Sequence, residues 1–279
     1  MTTPQTTDAP PSTGAPFPWA QTRELLRQLT VREIAETVKG SALGVLWLVL
    51  NPLLMMALYV VVFGVLFGGS FDRVDDESPL AFAAGVYIGL STVGLVNETL
   101  AKSTATLTRN ANLVKRVVFP LALLPTVQVL GSGFKFAVNA VLWLTFSALV
   151  GGMFGIHILL LPVILLPLFA LTLGLALFVS ALSVYFRDIQ QVISVFTQII
   201  FWSSGVFFSS VRVMEHPPLW SILKWNPFFL TIENIRAVTL WGLPPDFAQL
   251  AYLYALSAVA LALGAFVFSR LKAGFADFL

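Results

Sequence analysis

ALGVLWLVLNPLLMMALYVVVFGVLF, residues 42–67, runs its whole length without a charged side chain. A helix of about twenty such residues crosses a hydrocarbon core of roughly 30 Å, so the stretch reads as a membrane span. Outward from it, comparable apolar runs lie near Leu80–Leu100, Leu121–Val150, Ile158–Phe186, Gln190–Phe208 and Phe247–Ser269. Composition agrees: 57% of the 279 residues are hydrophobic and 11% are charged, where a soluble domain carries about 25% charge. An ordinary soluble globule is excluded. The expected fold class is an all-α integral membrane protein of six transmembrane helices, forming one membrane domain over residues 19–279. Cysteine is absent, which removes disulfides and thiolate metal sites. A formal charge of +2 gives nucleic acid no footing as a partner.

Before the first span, residues 1–18 (MTTPQTTDAPPSTGAPFP) are rich in Pro and Thr and hold no basic residue, the composition of a disordered tail. Residues 19–41 change character. Leu25, Leu29, Val31, Ile34 and Val38 recur at helical spacing among Arg23, Arg27, Arg32 and Lys39, which predicts an amphipathic helix in the membrane interface. A short solvated helix is the other reading, disfavoured by Trp19 and by the apolar span that follows.

The basic residues set the expected orientation. Arg23, Arg27, Arg32 and Lys39 precede span one; Lys102, Arg109, Lys115 and Arg116 follow span two; Arg187, Arg270 and Lys272 lie on the same side. That side holds eleven, against Arg73, Arg212, Lys224 and Arg236 on the other. The positive-inside rule then places both termini in the cytoplasm.

Residues 211–245 are apolar enough for a membrane yet punctuated by Pro217, Pro218, Pro227, Pro244 and Pro245. Neither apolar piece is long enough to cross alone. A re-entrant helical hairpin between helices five and six is expected, since broken backbone is tolerated only where protein or a wet cavity satisfies it. An outer loop with one amphipathic surface helix is the alternative.

No GxxxxGK[ST] phosphate loop occurs, so the chain has no backbone cradle for ATP phosphates and is not expected to be an ATPase by itself. His157 and His216 lack partners at metal-ligand spacing. The acidic cluster from Asp72 to Glu77 lies in a short outer loop, without the repeated spacing with which a membrane glycosyltransferase holds a divalent cation. Glu98 and Lys135 interrupt spans two and three. A charge inside lipid costs at least ~2.5 kcal/mol on insertion scales, so either the two pair across helices, or Glu98 snorkels and Lys135 lines a cavity.

One row in span one stands out: Asn51, Met55, Tyr59, Phe63 and Phe67 recur at intervals of four, a slowly winding ridge that is polar at one end and aromatic further out. On span five, Ser194, Phe201 and Phe208 share a face, with Gln198 and Trp202 nearby. Such rings pack against lipid or neighbouring helices in most membrane proteins; they also suit the apolar C–H faces of sugars.

TVKGSALGVLWLVLNPLLMMALYVVVFGVLF (37–67), RNANLVKRVVFPLALLP (109–125) and SALSVYFRDIQQVISVFTQIIFWSSGVFFS (180–209), with KWNPFF (224–229), the downstream Arg236 and the ending FADFL, together resemble type 2 ABC exporter permeases for polysaccharides such as O-antigen and teichoic acid. The departure is small: a tyrosine or arginine often precedes KGS in that family. The resemblance implies a multi-pass permease of the bacterial cytoplasmic membrane that pairs with a second copy of itself and two ATP-binding subunits, in contact with membrane lipid. ATP and Mg would be bound by those subunits, with no cofactor held by this chain. It also implies a channel for an undecaprenyl-linked glycan, with Asn51, Met55, Tyr59, Phe63, Phe201, Trp202 and Phe208 on its wall. Residues 102–120 become the cytoplasmic coupling segment, with Asn110, Asn112, Leu113, Val114, Lys115, Arg116, Phe119 and Pro120 meeting the ATPase; Leu113 and Val114 are expected to fill its apolar cleft. Tyr185, Arg187 and Asp188 form the turn between spans four and five, where Arg187 and Asp188 pair with each other or with the ATPase. Other readings are a permease for a different cargo, such as capsule or a small-molecule drug; an enzyme of lipid-linked sugar assembly; and a membrane scaffold.

Overall fold

The computed structural model describes residues 19–38, 44–66, 68–72, 78–115, 119–149 and 155–279. The expected tail at 1–18 lies outside them, as do Phe67, Arg116 and residues 39–41 at the end of the interface segment. Every regular element among the described residues is helical. In order they are α1 (Trp19–Val38), α2 (Trp47–Tyr59), which passes into a π-helical stretch (Val60–Leu66), α3 (Pro79–Arg109), α4 (Ala111–Val114), α5 (Leu123–Leu149) and α6 (Leu161–Tyr185). Then follow α7 (Ile189–Ser203), α8 (Ser210–Met214), α9 (Pro217–Leu223), α10 (Pro227–Thr239), α11 (Phe247–Leu271) and α12 (Phe275–Phe278).

Among the described residues, four helical segments are long and apolar enough to cross a membrane: α3, α5, α11, and α6 with the 3-10 turn that leads into it. The α2 region and α7 are apolar but shorter. At 1.5 Å per residue, the 15 residues of α7 make ~22 Å, less than a full hydrocarbon core. Span five was expected to run to Phe208; its helix stops at Ser203 because Gly205 takes a left-handed conformation (φ +71°), which ends an α-helix.

α3 is the central pillar, buried over most of its length and packed against α5, α6 and α7. Its start is written locally: Ser78 Oγ accepts from Ala81 N–H, and Pro79 sits at the first position, where its missing N–H costs nothing. The KWNPFF motif repeats that grammar. Asn226 Oδ1 accepts from Phe228 and Phe229 N–H with Pro227 next in line, while its amide donates to Ser203 O and Oγ at 3.0 and 2.9 Å. One side chain thus starts α10 and holds the end of α7.

Lipid tails are as apolar as leucine, so helix association in a membrane rests on close packing and hydrogen bonds. α6 and α11 supply the closest packing. A Cβ added at Gly174 would sit 2.5 Å from the backbone oxygen of Ala260, and Gly264 packs directly on Gly174. Outward, Val192, Val195 and Ile199 of α7 and Val259, Leu263 and Phe266 of α11 are exposed, as lipid-facing or subunit-facing surfaces would be.

Residues 205–246 fold as three short helices on the bundle. The innermost, α10, is buried along nearly its whole length against α3 and α6.

Candidate functional site

The aromatic wall is assembled by a residue outside the expected set. Tyr59 of α2 lies 6.2 Å from the Phe207 ring, and Phe207 in turn meets Phe201 at 5.9 Å and Trp202 at 6.2 Å. Phe201 and Trp202 stand edge to face at 5.2 Å. Phe207 therefore joins the α2 and α7 sides. Phe208 instead packs on Phe229 at 6.0 Å. Phe201 and Phe208 share a helix face only if the helix continues between them; past the break at Gly205, Phe207 meets Phe201 while Phe208 lines a groove with Gln198 and Trp202. Met55 is exposed, and Asn51 lines a polar cavity with Glu98 and Lys135. Phe63 lies in the π-helical stretch, whose wider turn shifts the i, i+4 row; its side chain is outside the described set.

The break after α7 is held by Arg236, which is wholly buried in α10. Its guanidinium donates to Gly85 O (2.9 and 3.0 Å), Gly205 O (2.8 Å), Val206 O (2.7 Å) and Phe208 O (3.3 Å). Glu233 lies 3.5 Å away, and the Phe71 ring centroid is 4.0 Å from the guanidinium carbon. Glu233 accepts from both the N–H and the hydroxyl of Ser210. One arginine thus sets the loop that carries Phe207. Only its position downstream of KWNPFF marked it in the sequence.

Glu98 and Lys135 do pair, at 2.7 Å, so the cross-helix reading holds; Lys135 also lines the cavity. Lys102 extends the chain of charges, lying 3.1 Å from Glu98 and 2.7 Å from Glu33 of α1, and Gln128 donates to Glu33 at 3.3 Å. Unit charges near contact attract by ~4 kcal/mol at an effective dielectric of ~20, enough to offset much of their insertion cost. The alternating row ties α1 to α3 and α5. Gly131 makes room for it, since a Cβ there would meet Glu33 Cγ at 2.8 Å.

Between the loop before α3 and helix α8, Arg212 donates to Asp72 at 2.5 Å. That hydrogen bond holds the Asp72 carboxyl below the ordinary carboxylate range.

Within the expected coupling segment, the structure describes residues 102–115, 119 and 120. Val114 is buried, packing with Leu107, Leu124, Leu177 and Phe275 of this chain, and Leu113 and Phe119 lean on the same cluster. The single turn of α4 rests on α12, and Val114 is the side chain that it turns inward. Asn110 ends α3, its amide bonded to Thr106 O at 2.8 Å. Asn112 and Lys115 are exposed, and Pro120 is half-buried. In the turn between α6 and α7, Tyr185 donates to Leu271 O at 2.8 Å and packs on Phe275 and Phe278, so its partner is the FADFL ending. Arg187 and Asp188 are exposed. Among the described residues they form no ion pair with each other.

Apolar helices around a polar, charge-paired interior define a polytopic membrane protein. The chain belongs to the ABC-2 type transporter family, whose model matches residues 24–240. It is 27% identical over 257 residues to the O-antigen export system permease protein RfbA of Myxococcus xanthus, covering 92% of this chain and 96% of that one. Two relatives of the same name from Klebsiella pneumoniae are 24% and 25% identical over 262 residues, covering 92% of this chain and 95% of theirs.

Proposed function

We propose that this chain is the channel-forming permease of an ABC exporter that carries an undecaprenyl-linked polysaccharide of the O-antigen type across the cytoplasmic membrane. The observation that carries the reading is the end-to-end similarity to O-antigen export permeases, covering 96% of the Myxococcus xanthus relative. In this reading α2 with its π-helical extension, α3, α5, α6, α7 and α11 are six spans. Both termini lie in the cytoplasm, and residues 211–245 turn back in the outer leaflet. The permease pairs with a second copy of itself and with two ATP-binding subunits that bind ATP and Mg. The rings of Tyr59, Phe201, Trp202 and Phe207 support a glycan path, because they offer flat faces to sugar C–H groups. Asn112 and Lys115, with Arg187 and Asp188 of the turn between α6 and α7, are exposed and are the groups that meet the ATPase in this reading.

The test is deletion of this chain in its host. Surface glycan should be lost, lipid-linked glycan should accumulate inside, and a plasmid copy should restore export. Normal surface glycan in the deletion strain refutes the reading; new drug sensitivity in its place would point to a small-molecule cargo.

A further inference from the structure

Three helices turn polar positions toward one space. On α5 these are Ser132, Lys135 and Asn139; on α3, Ser91 and Glu98 flank Gly94; on α2, Asn51 stands one turn from Trp47. Intervals of three, four and seven share a helix face, so each helix contributes a stripe. The stripes line a half-open cavity of about 520 Å³, within the ~300–1,000 Å³ usual for small-molecule sites. Polar groups inside a membrane helix are costly and by default mark a path or a site.

The chemistry of the walls narrows the ligand. Glu98 and Lys135 neutralise each other at 2.7 Å, and Lys102 is engaged by Glu33 and Glu98, so the cavity makes no strong demand for an anion. What remains is neutral. Ser132 is 1% exposed, and its hydroxyl has no hydrogen-bond partner among the described residues, a state that costs ~1–3 kcal/mol unless something fills it. Asn139 Oδ1 accepts from the Tyr87 hydroxyl at 3.0 Å, which points the amide NH₂ the other way as a donor. Trp47 is 44% exposed and supplies an aromatic face. Hydroxyl, amide and indole around a self-neutralised ion pair match a neutral polyhydroxylated ring.

We propose that the cavity between α2, α3 and α5 binds a neutral sugar unit. Its place in transport rests on the permease reading, but binding does not. The sugar has two possible sources, the exported glycan or the headgroup of a membrane glycolipid.

The sequence provides the test. It contains no cysteine, so Gly94→Cys is the only thiol of the chain, and a Cβ at Gly94 meets nothing within 4 Å. The variant is assembled with its ATP-binding partner in nanodiscs of phosphatidylethanolamine and phosphatidylglycerol. A small methanethiosulfonate reagent then labels it, and labelling is followed by the mass of this chain. The probes are methyl glycosides of glucose, galactose and mannose, octyl glucoside below its micelle concentration, and octylphosphocholine. At least one sugar probe should slow labelling at least threefold while octylphosphocholine does not, and adding Ser132→Ala should abolish that protection. Protection by a methyl glycoside assigns the site to the exported glycan; protection by octyl glucoside alone assigns it to a glycolipid headgroup. An unreactive thiol, equal protection by octylphosphocholine, no protection by any sugar probe, or protection that survives Ser132→Ala overturns the proposal. Protection is read without transport, so failure of the deletion test above would leave it standing, and its own failure would leave the permease reading intact.

Discussion

Replacing Arg236 with methionine keeps the bulk of the side chain and removes its donors. Three loop carbonyls, at Gly205, Val206 and Phe208, lose a bond from the guanidinium, while Gly85 loses two contacts at 2.9 and 3.0 Å. An orphaned buried acceptor costs ~1–3 kcal/mol, and removing one member of a buried charge pair costs ~3–5 kcal/mol in total. The second range already includes Glu233, left behind at 7% exposure. Taking ~4 kcal/mol as the centre, the melting temperature of the purified chain in nanodiscs should fall by on the order of 10 °C. Adding Glu233→Gln should recover part of the loss by removing the stranded carboxylate. The loop should also loosen, so hydrogen exchange at residues 204–209 should accelerate more than at the middle of α3. Intrinsic fluorescence on a thermal ramp reads the first effect and exchange mass spectrometry the second. A melting temperature within about 2 °C of the unsubstituted chain, with unchanged exchange in the loop, would refute the reasoning that Arg236 sets the break after α7.

Gly174→Ala should destabilise markedly because its Cβ meets the Ala260 backbone at 2.5 Å, whereas Gly94→Ala, with open space around it, should be neutral or gain up to ~1 kcal/mol of helix propensity; equal melting temperatures for the two would contradict the packing at α6 and α11. The Asp72 carboxyl titrates below its unfolded value because of Arg212, so the stabilisation it gives is complete above the ordinary carboxylate pKa of ~3.9 and disappears as pH falls through the depressed folded value. Asp72→Asn keeps the left-handed backbone accessible and should remove this pH dependence from hydrogen exchange around residues 209–214; the same acid-induced rise in exchange in both chains would argue against the tie. Val114→Asp and the surface pair should differ: the buried Val114 variant should lose membrane abundance, while Asn112→Asp with Lys115→Glu should accumulate normally and lose ATPase-subunit copurification. Full copurification with the doubly charged variant would remove those two residues from the docking surface.

How much was legible in the sequence follows from range. Apolar length is a local property, so the spans of α3, α5, α6 and α11 could be placed from it, and the caps at Ser78 and Asn226 are written in adjacent residues. The absence of a phosphate loop and the similarity of separated motifs to a permease family are likewise visible in the chain alone. Helix endings inside the membrane were less accessible. Gly205 is one glycine among the 19 of the chain, and nothing beside it says that it turns left-handed; that depends on Arg236, thirty-one positions away in sequence, donating to its carbonyl at 2.8 Å. The same break decided that Phe207, and not Phe208, meets Tyr59.

By itself, then, the sequence determined an all-helical membrane protein, the position of its long helices, and the cost that obliged Glu98 and Lys135 to find partners, because hydrophobicity and charge act on each segment separately. The tertiary structure decided which partners they found, that Val114 turns inward toward Phe275, and that polar stripes on three helices face one cavity. Those outcomes depend on the rotation and crossing of helices far apart in sequence, where contacts such as Gly131 against Glu33 choose one packing among many that the apolar pattern would allow.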